Sequence, residues 1–246
     1  MRAGPGLGNI AGEQSDYFQV TKSGGHGGYH SIVLAPSSVQ EMYDFTIKAF
    51  DLADKYRMPV IVAADGYLGQ MKEAIVMSTP EIKEYNKSEW ATTGAKNRGP
   101  HVITSIEIEH DAMELHRYKL VKLYKKVVEN EILFEEYKTE DAEVVFVAYG
   151  IVSRIVKDVV NWAREKGLKV GLIRPKTLWP FPSDKITELA VKVKSLFVVE
   201  LSPGQMVEDV ERATKGKCPV QFYGRCGGNM PSKNEIFEKL KTGALK

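Results

Sequence analysis

Two stretches near the start of this sequence gather residue types that can do chemistry. The first is Arg2-Ala3-Gly4-Pro5-Gly6-Leu7-Gly8, a glycine-rich run with a guanidinium at its head. Glycines let a backbone approach a ligand closely, and a guanidinium offers planar paired donors that suit a carboxylate. On residue types alone, Arg2, Gly4, Pro5 and Gly6 are candidates for receiving a small carboxylic acid; the alternative is a solvated arginine beside an ordinary loop. The second stretch is Lys22-Ser23-Gly24-Gly25-His26-Gly27-Gly28. A lone histidine between glycine pairs can act as acid, base or hydrogen-bond donor, or it can simply sit in a tight, exposed turn.

Other chemistries find little support. Gly4-Pro5-Gly6-Leu7-Gly8 is not G-x-G-x-x-G and no strand precedes it, so dinucleotide binding is a weak reading. His26, His30, His101, His110 and His116 share no metal-ligand spacing. There is no nucleophile elbow, P-loop or H-E-x-x-H. Cys218 and Cys226, spaced C-x7-C, match no metal or redox motif and read as reduced thiols. A formal net charge of +2 without a block of either sign argues against nucleic acid or a membrane surface as partner. No apolar run approaches the roughly 18 to 20 residues of a membrane span, and with no targeting segment visible the expected location is the cytoplasm.

The elements that must position these residues follow from hydrophobic pattern. Residues 31–35 read as a short buried strand ended by Pro36. Ser37 or Ser38 can cap the next helix, with Glu41 placed for a capping box if Ser38 is the cap. Met42, Phe45, Ala49, Leu52 and Ala53 give that helix one apolar face, and it stops near Arg57-Met58-Pro59. Residues 60–64 form a second buried strand, which completes a parallel βαβ unit. From Ser78 onward, Pro80, Asn86, Thr92-Thr93-Gly94, Asn97 and Gly99-Pro100 mark a loop-rich connection. A long charged helix from His110 to about Phe134 follows, read as bridging the surface of its neighbours. A second α/β unit runs from Asp141. Its expected strands are residues 144–149, 170–173, 195–199 and 220–223, and its expected helices 153–166, 183–193, 204–215 and one from Ser232.

Specific motifs carry a resemblance over essentially the whole chain. They include Arg2-Ala3-Gly4-Pro5-Gly6-Leu7-Gly8-Asn9, Gln14-Ser15-Asp16-Tyr17, Gly24-Gly25-His26-Gly27 and Leu34-Ala35-Pro36-Ser37-Ser38-Val39-Gln40-Glu41. Further on come Asp65-Gly66-Tyr67-Leu68-Gly69-Gln70-Met71 and Arg174-Pro175-Lys176-Thr177-Leu178-Trp179-Pro180-Phe181-Pro182. The sequence resembles one subunit of the thiamine-diphosphate-dependent 2-oxoacid:ferredoxin oxidoreductases, most like the 2-oxoisovalerate (branched-chain) type, with 2-oxoglutarate members as the nearest rival.

That resemblance implies an α/β fold: part of a pyrimidine-type thiamine-diphosphate-binding, parallel-sheet domain at residues 1–79, a linker with a bridging helix at 80–138, and a transketolase-C-terminal-like parallel α/β domain at 139–246. It implies conversion of a 2-oxoacid, coenzyme A and oxidised ferredoxin to acyl-CoA, carbon dioxide and reduced ferredoxin, with thiamine diphosphate as electron sink. Arg2 matches the family arginine suited to the substrate carboxylate. Magnesium and 4Fe-4S clusters are expected on partner subunits, since clusters need sets of cysteine thiolates. Those partners would be a pyrophosphate-binding subunit, a gamma-type subunit and a ferredoxin-like iron–sulfur subunit. Full-length members carry more chain before the position of Met1, including the glutamate that activates the aminopyrimidine, and no residue here matches it. The expectation is therefore a chain lacking its N-terminal part, inactive alone, with a catalytically incomplete assembly subunit as the other possibility.

Overall fold

The computed structural model describes residues 1–78 and 83–244; Pro80 and the expected boundary at 79/80 lie outside the described residues. The first half begins with the glycine loop and a short helix α1 (Tyr17–Thr21), then β1 (Ile32–Leu34), α2 (Val39–Tyr56), β2 (Val60–Val62) and α3 (Gly66–Gln70). β1 and β2 pair in parallel, Ile32 opposite Val60 and Leu34 opposite Val62, so the βαβ unit is present. Ser38 caps α2 as expected, its hydroxyl accepting from Glu41 N at 3.1 Å. The capping box itself does not close. Glu41 accepts from Ser37 N at 2.8 Å and turns its carboxylate toward Arg174, because a guanidinium is a stronger partner than a second amide.

The long helix α4 (His110–Asn130) ends earlier than its charge pattern suggests. Just past its end, Glu131 is drawn inward, accepting from Tyr56 Oη and Lys55 Nζ at 2.6 Å each. The next residues form β3 (Phe134–Tyr137), a strand that begins where the expected helix was to end. Only Val127 of α4 is buried, and with Leu123 and Tyr124 it packs against β1 and α2, so the helix does lie across its neighbours.

The second sheet follows: β4 (Val144–Val147), α5 (Gly150–Glu165), β5 (Val170–Pro175), β6 (Thr177–Trp179), α6 (Ser183–Lys192), β7 (Ser195–Glu200), α7 (Met206–Thr214), β8 (Val220–Gly224) and α8 (Lys233–Lys239), ending in a π-helical turn, Leu240–Ala244. Its order is β3-β5-β4-β7-β8, parallel except for the antiparallel edge strand β3. One apolar core lies under α6 and α7 and a second under α5 and α8. α5 starts at Gly150 rather than at Ser153, because Asp65 of the first half accepts from Ile151 N at 3.1 Å and caps it there.

β6 departs most from expectation. It leaves the second sheet and pairs antiparallel with β1, giving a three-stranded sheet β2-β1-β6. The core under α6 and α7 accordingly runs on into the first half through Tyr17, Val33, Ala35 and Ala63.

Candidate functional site

The glycine loop closes because its arginine folds back over it. Arg2 and Gly12 form an antiparallel bridge, and Ala3 N donates to Ala11 O at 2.7 Å. Arg2 Nη1 then donates to Ala3 O at 3.0 Å and to Leu7 O at 2.8 Å, while Nη2 donates to Gly6 O. Gly8, at φ 54, cannot be replaced without rebuilding the loop, since a Cβ there would lie 1.9 Å from Ala3 O. Of the guanidinium's five N–H donors, three make hydrogen bonds that hold the loop and two have no partner among the described residues.

Arg2, Gly4, Pro5 and Gly6 line one side of a cleft of about 680 Å³. The same cleft is lined by Glu13, Ser15, Asp16 and Gln19 and by Pro203, Gln205, Cys226 and Gly227 from the second half. Gly6, at φ 62, would meet nothing within 4 Å if it carried a Cβ, so bare backbone faces the opening. The structure thus brings together four of the five residues singled out from the sequence. It does not bring in His26, which is exposed on the second loop and is not among the cleft residues.

The rest of the lining is held by residues that pattern reading does not find. Glu13 is 3% exposed; it accepts from Gly227 N and from Ser15 Oγ. Gln205 donates to Ser15 O at 2.7 Å and accepts from Phe18 N at 2.8 Å, so one side chain ties α1 to the start of α7. Behind it Glu200, at the end of β7, accepts from Met206 N at 3.0 Å, Val207 N at 2.9 Å and Ser202 Oγ at 2.9 Å. Burial pushes the Glu200 carboxyl above its ordinary value, and those donors oppose the rise. Gln14 is completely buried: its amide donates to Tyr149 O at 3.0 Å and accepts from Leu201 N at 2.9 Å, sitting like a strand residue between the ends of β4 and β7. The Gln14-Ser15-Asp16-Tyr17 motif was the one signal of these roles. Tyr17 Oη donates to Asp209 of α7 at 2.7 Å.

A second set of contacts fixes α2 to the far sheet. Arg174 on β5, its side chain 4% exposed, donates to Glu41 at 2.6 and 2.8 Å, to Glu135 at 2.9 Å and to Ser37 Oγ at 2.8 Å. Burial alone would raise the Glu41 carboxyl; the Arg174 hydrogen bonds and charge, with Ser37 N and Lys176, bring it down to about 2.

Comparison with known proteins decides the family. Residues 1–135 match the family described as pyruvate flavodoxin/ferredoxin oxidoreductase, thiamine diphosphate-binding, and residues 142–236 match pyruvate:ferredoxin oxidoreductase core domain II. The chain belongs to the pyruvate flavodoxin/ferredoxin oxidoreductase family. It is 49% identical to the ketoisovalerate oxidoreductase subunit VorB of Methanothermobacter marburgensis, over 98% of this chain and 68% of that one. It is 37% identical to the 2-oxoglutarate synthase subunit KorA of Methanocaldococcus jannaschii, over 96% of this chain and 70% of that one. Among solved structures, the 2-oxoglutarate:ferredoxin oxidoreductase from Magnetococcus marinus, with 2-oxoglutarate, coenzyme A and succinyl-CoA bound, superposes with a TM-score of 0.79. At 24% identity, covering 98% of this chain and 47% of that one, it shares the fold.

The match over residues 1–135 is to a thiamine diphosphate-binding domain, and the residues of the cleft can be tested against that cofactor. The backbone at Gly6 is open, and Glu13, Gln19 and Gln205 are polar residues of the same lining. No group of three or more His, Cys, Asp or Glu that could hold a metal ion is found among the described residues.

Proposed function

We propose that this chain is the thiamine-pyrimidine-side subunit of an oxidoreductase that decarboxylates a branched-chain 2-oxoacid, 2-oxoisovalerate in the first place, to acyl-CoA and carbon dioxide, with electrons passing to ferredoxin. The observation that carries the reading is the charge of the cleft lining: one cation, Arg2, alongside the carboxylates Glu13 and Asp16. One guanidinium with two free donors suits a single carboxylate. A dicarboxylate such as 2-oxoglutarate would need a second cation, and this lining offers anions instead. The 49% identity to a ketoisovalerate subunit points the same way.

In this reading Arg2 binds and orients the 2-oxoacid carboxylate, the glycine loop lets the reacting carbon come close to backbone, and the walls at Pro203–Gln205 and Cys226–Gly227 exclude water. Thiamine diphosphate, when bound, supplies the nucleophilic carbon and the electron sink. Magnesium and the diphosphate fall to a pyrophosphate-binding subunit. The 4Fe-4S clusters fall to a ferredoxin-like subunit, since the two cysteines of this chain are too few for a four-thiolate cluster. A gamma-type subunit completes the assembly. The chain divides at residues 1–79, 80–138 and 139–246, and its setting is the cytoplasm; no helix among the described residues is long and apolar enough to cross a membrane.

The test is to tag the chain in its native host, purify what co-elutes, and assay coenzyme-A-dependent viologen reduction separately with 2-oxoisovalerate, pyruvate and 2-oxoglutarate. Activity led by 2-oxoisovalerate with an iron–sulfur partner present supports the assignment. Activity led by 2-oxoglutarate would overturn the substrate, and a complex that reduces nothing would overturn the catalytic role.

A further inference from the structure

The second glycine loop holds itself closed and leaves its donors unused. Ser23 Oγ donates to Tyr29 O at 2.9 Å, and Gly24 N donates to Tyr29 Oη at 3.2 Å. Cβ atoms on Gly25 and Gly27 would meet nothing within 4 Å, so the loop presents bare backbone to open space. Among the described residues, no acceptor takes the amide N–H of Gly25, His26, Gly27 or Gly28.

Two cationic or protonatable side chains meet over this loop. A Cβ on Gly28 would stand 3.1 Å from Arg117 Nη1 and 3.3 Å from His26 Nδ1. Arg117 comes from the N-terminal half of α4 and is half-buried, yet no carboxylate or carbonyl among the described residues accepts from its guanidinium. Lys22 stands at the base of the loop, paired with Asp209 at 2.5 Å. The local positive field is felt by His30, whose imidazole is held below its ordinary value first by burial and then by Lys22 and Arg117. A partly desolvated guanidinium without an acceptor is costly unless an anion completes it. A guanidinium, an imidazole and a row of open glycine amides together offer the donors that phosphate oxygens take.

The loop also borders the cleft. A Cβ on Gly24 would lie 3.5 Å from Gln19 Cγ, and Gln19 is part of the cleft wall. A ligand can therefore occupy both places only if it is extended, with a phosphate at some distance from its reacting end.

We propose that Arg117, His26 and the amides of residues 25–28 bind a phosphate group of an extended co-substrate of the coenzyme A class. This rests on the reading above for the identity of the co-substrate, and not for the existence of the anion site.

The experiment uses the intact purified complex, in wild-type form and with Arg117→Ala, Arg117→Lys or His26→Gln. Calorimetric titration measures coenzyme A, pantetheine (the thiol arm without nucleotide phosphates) and inorganic pyrophosphate. Arg117→Ala is expected to weaken coenzyme A by about tenfold or more, the loss of a charge-assisted hydrogen bond. The expected pattern also has His26→Gln weakening it less, Arg117→Lys recovering part of the loss, and pantetheine unmoved. Equal coenzyme A affinity in wild type, Arg117→Ala and His26→Gln would overturn the site. Loss of a subunit from the Arg117→Ala complex would overturn it too, because Arg117 would then be pairing with a protein carboxylate. Arg117-dependent binding of pyrophosphate but not of coenzyme A would overturn the coenzyme as its source. Binding is read without turnover, so a complex that binds coenzyme A through Arg117 but oxidises no 2-oxoacid defeats the functional reading and leaves the phosphate site standing.

Discussion

Replacing Arg174 with methionine is expected to unfasten α2 from the second sheet. The guanidinium makes four hydrogen bonds, to Glu41 twice, Glu135 and Ser37, from a side chain only 4% exposed. Methionine fills much of the same volume but leaves two sheltered carboxylates facing each other, with Lys176 at 3.1 Å from Glu41 and Lys157 beside Glu135 as their remaining cations. Breaking a buried pair by removing one partner costs about 3–5 kcal/mol. Seen from Glu41, the same set of contacts holds its carboxyl at about 2 instead of 4.5, on the order of 3 kcal/mol of folding free energy, a part of which comes from Ser37 N and Lys176 and would survive the substitution. Because the folded value is the lower one, that stabilisation is present above about pH 4.5 and is lost as the pH falls through about 2. Urea unfolding of the purified chain, followed by tryptophan fluorescence, should show Arg174→Met weakened by about 3–5 kcal/mol at pH 7. The deficit should shrink as the pH falls from about 4.5 toward 2, the window over which the wild-type chain loses the Glu41 contribution. A deficit under about 1 kcal/mol at pH 7, the worth of an exposed pair, would refute the argument, as would one that does not change with pH.

Arg2→Ala should abolish or severely reduce 2-oxoacid turnover while the complex still assembles, measured by viologen reduction and gel filtration; unchanged turnover would remove the carboxylate role. Gln14→Leu leaves Tyr149 O and Leu201 N without their buried partners, at about 1–3 kcal/mol each, and should lower the unfolding midpoint accordingly. Gly150→Ala should destabilise the chain comparably. Its Cβ would sit 2.9 Å from Gln14 Nε2 and 3.0 Å from Asp65 Oδ2 at φ 56, a conformation that side chains rarely adopt. Tyr17→Phe removes the hydroxyl from Asp209 but leaves Lys22 in place, so a loss of about 1.5–3 kcal/mol is expected; a midpoint equal to wild type would count against a buried bond there.

Much of this architecture was legible because it is written locally. The apolar face of α2, its Ser38 cap and the short apolar runs of β4, β5, β7 and β8 follow from periodicity over a few residues. What escaped was written at long range. Thr177–Trp179 is three residues before a proline, and nothing in it names Val33 and Leu34 as partners. Gln14 finds Tyr149 across 135 positions, and Asp65 caps a helix 86 positions away. In the cleft, residue types located Arg2 and the glycine loop. They did not reveal that three of the Arg2 hydrogen bonds would hold the loop itself, or that His26 would stand with Arg117 outside the cleft wall.

The strand β6 has a consequence for anyone recombining members of this family. A hybrid made by joining the first half of one relative to the second half of another at the long connection would look like a clean exchange of modules. It would in fact transplant a sheet strand, since Thr177–Trp179 would arrive from one parent to pair with Ile32–Leu34 of the other. The shared core would be rebuilt from mixed donors at the same time, with Tyr17, Val33 and Ala63 from one parent meeting Leu178 and Ile186 from the other. Crossovers that keep residues 32–34 and 177–179 from a single parent should therefore yield folded hybrids where the midpoint crossover does not.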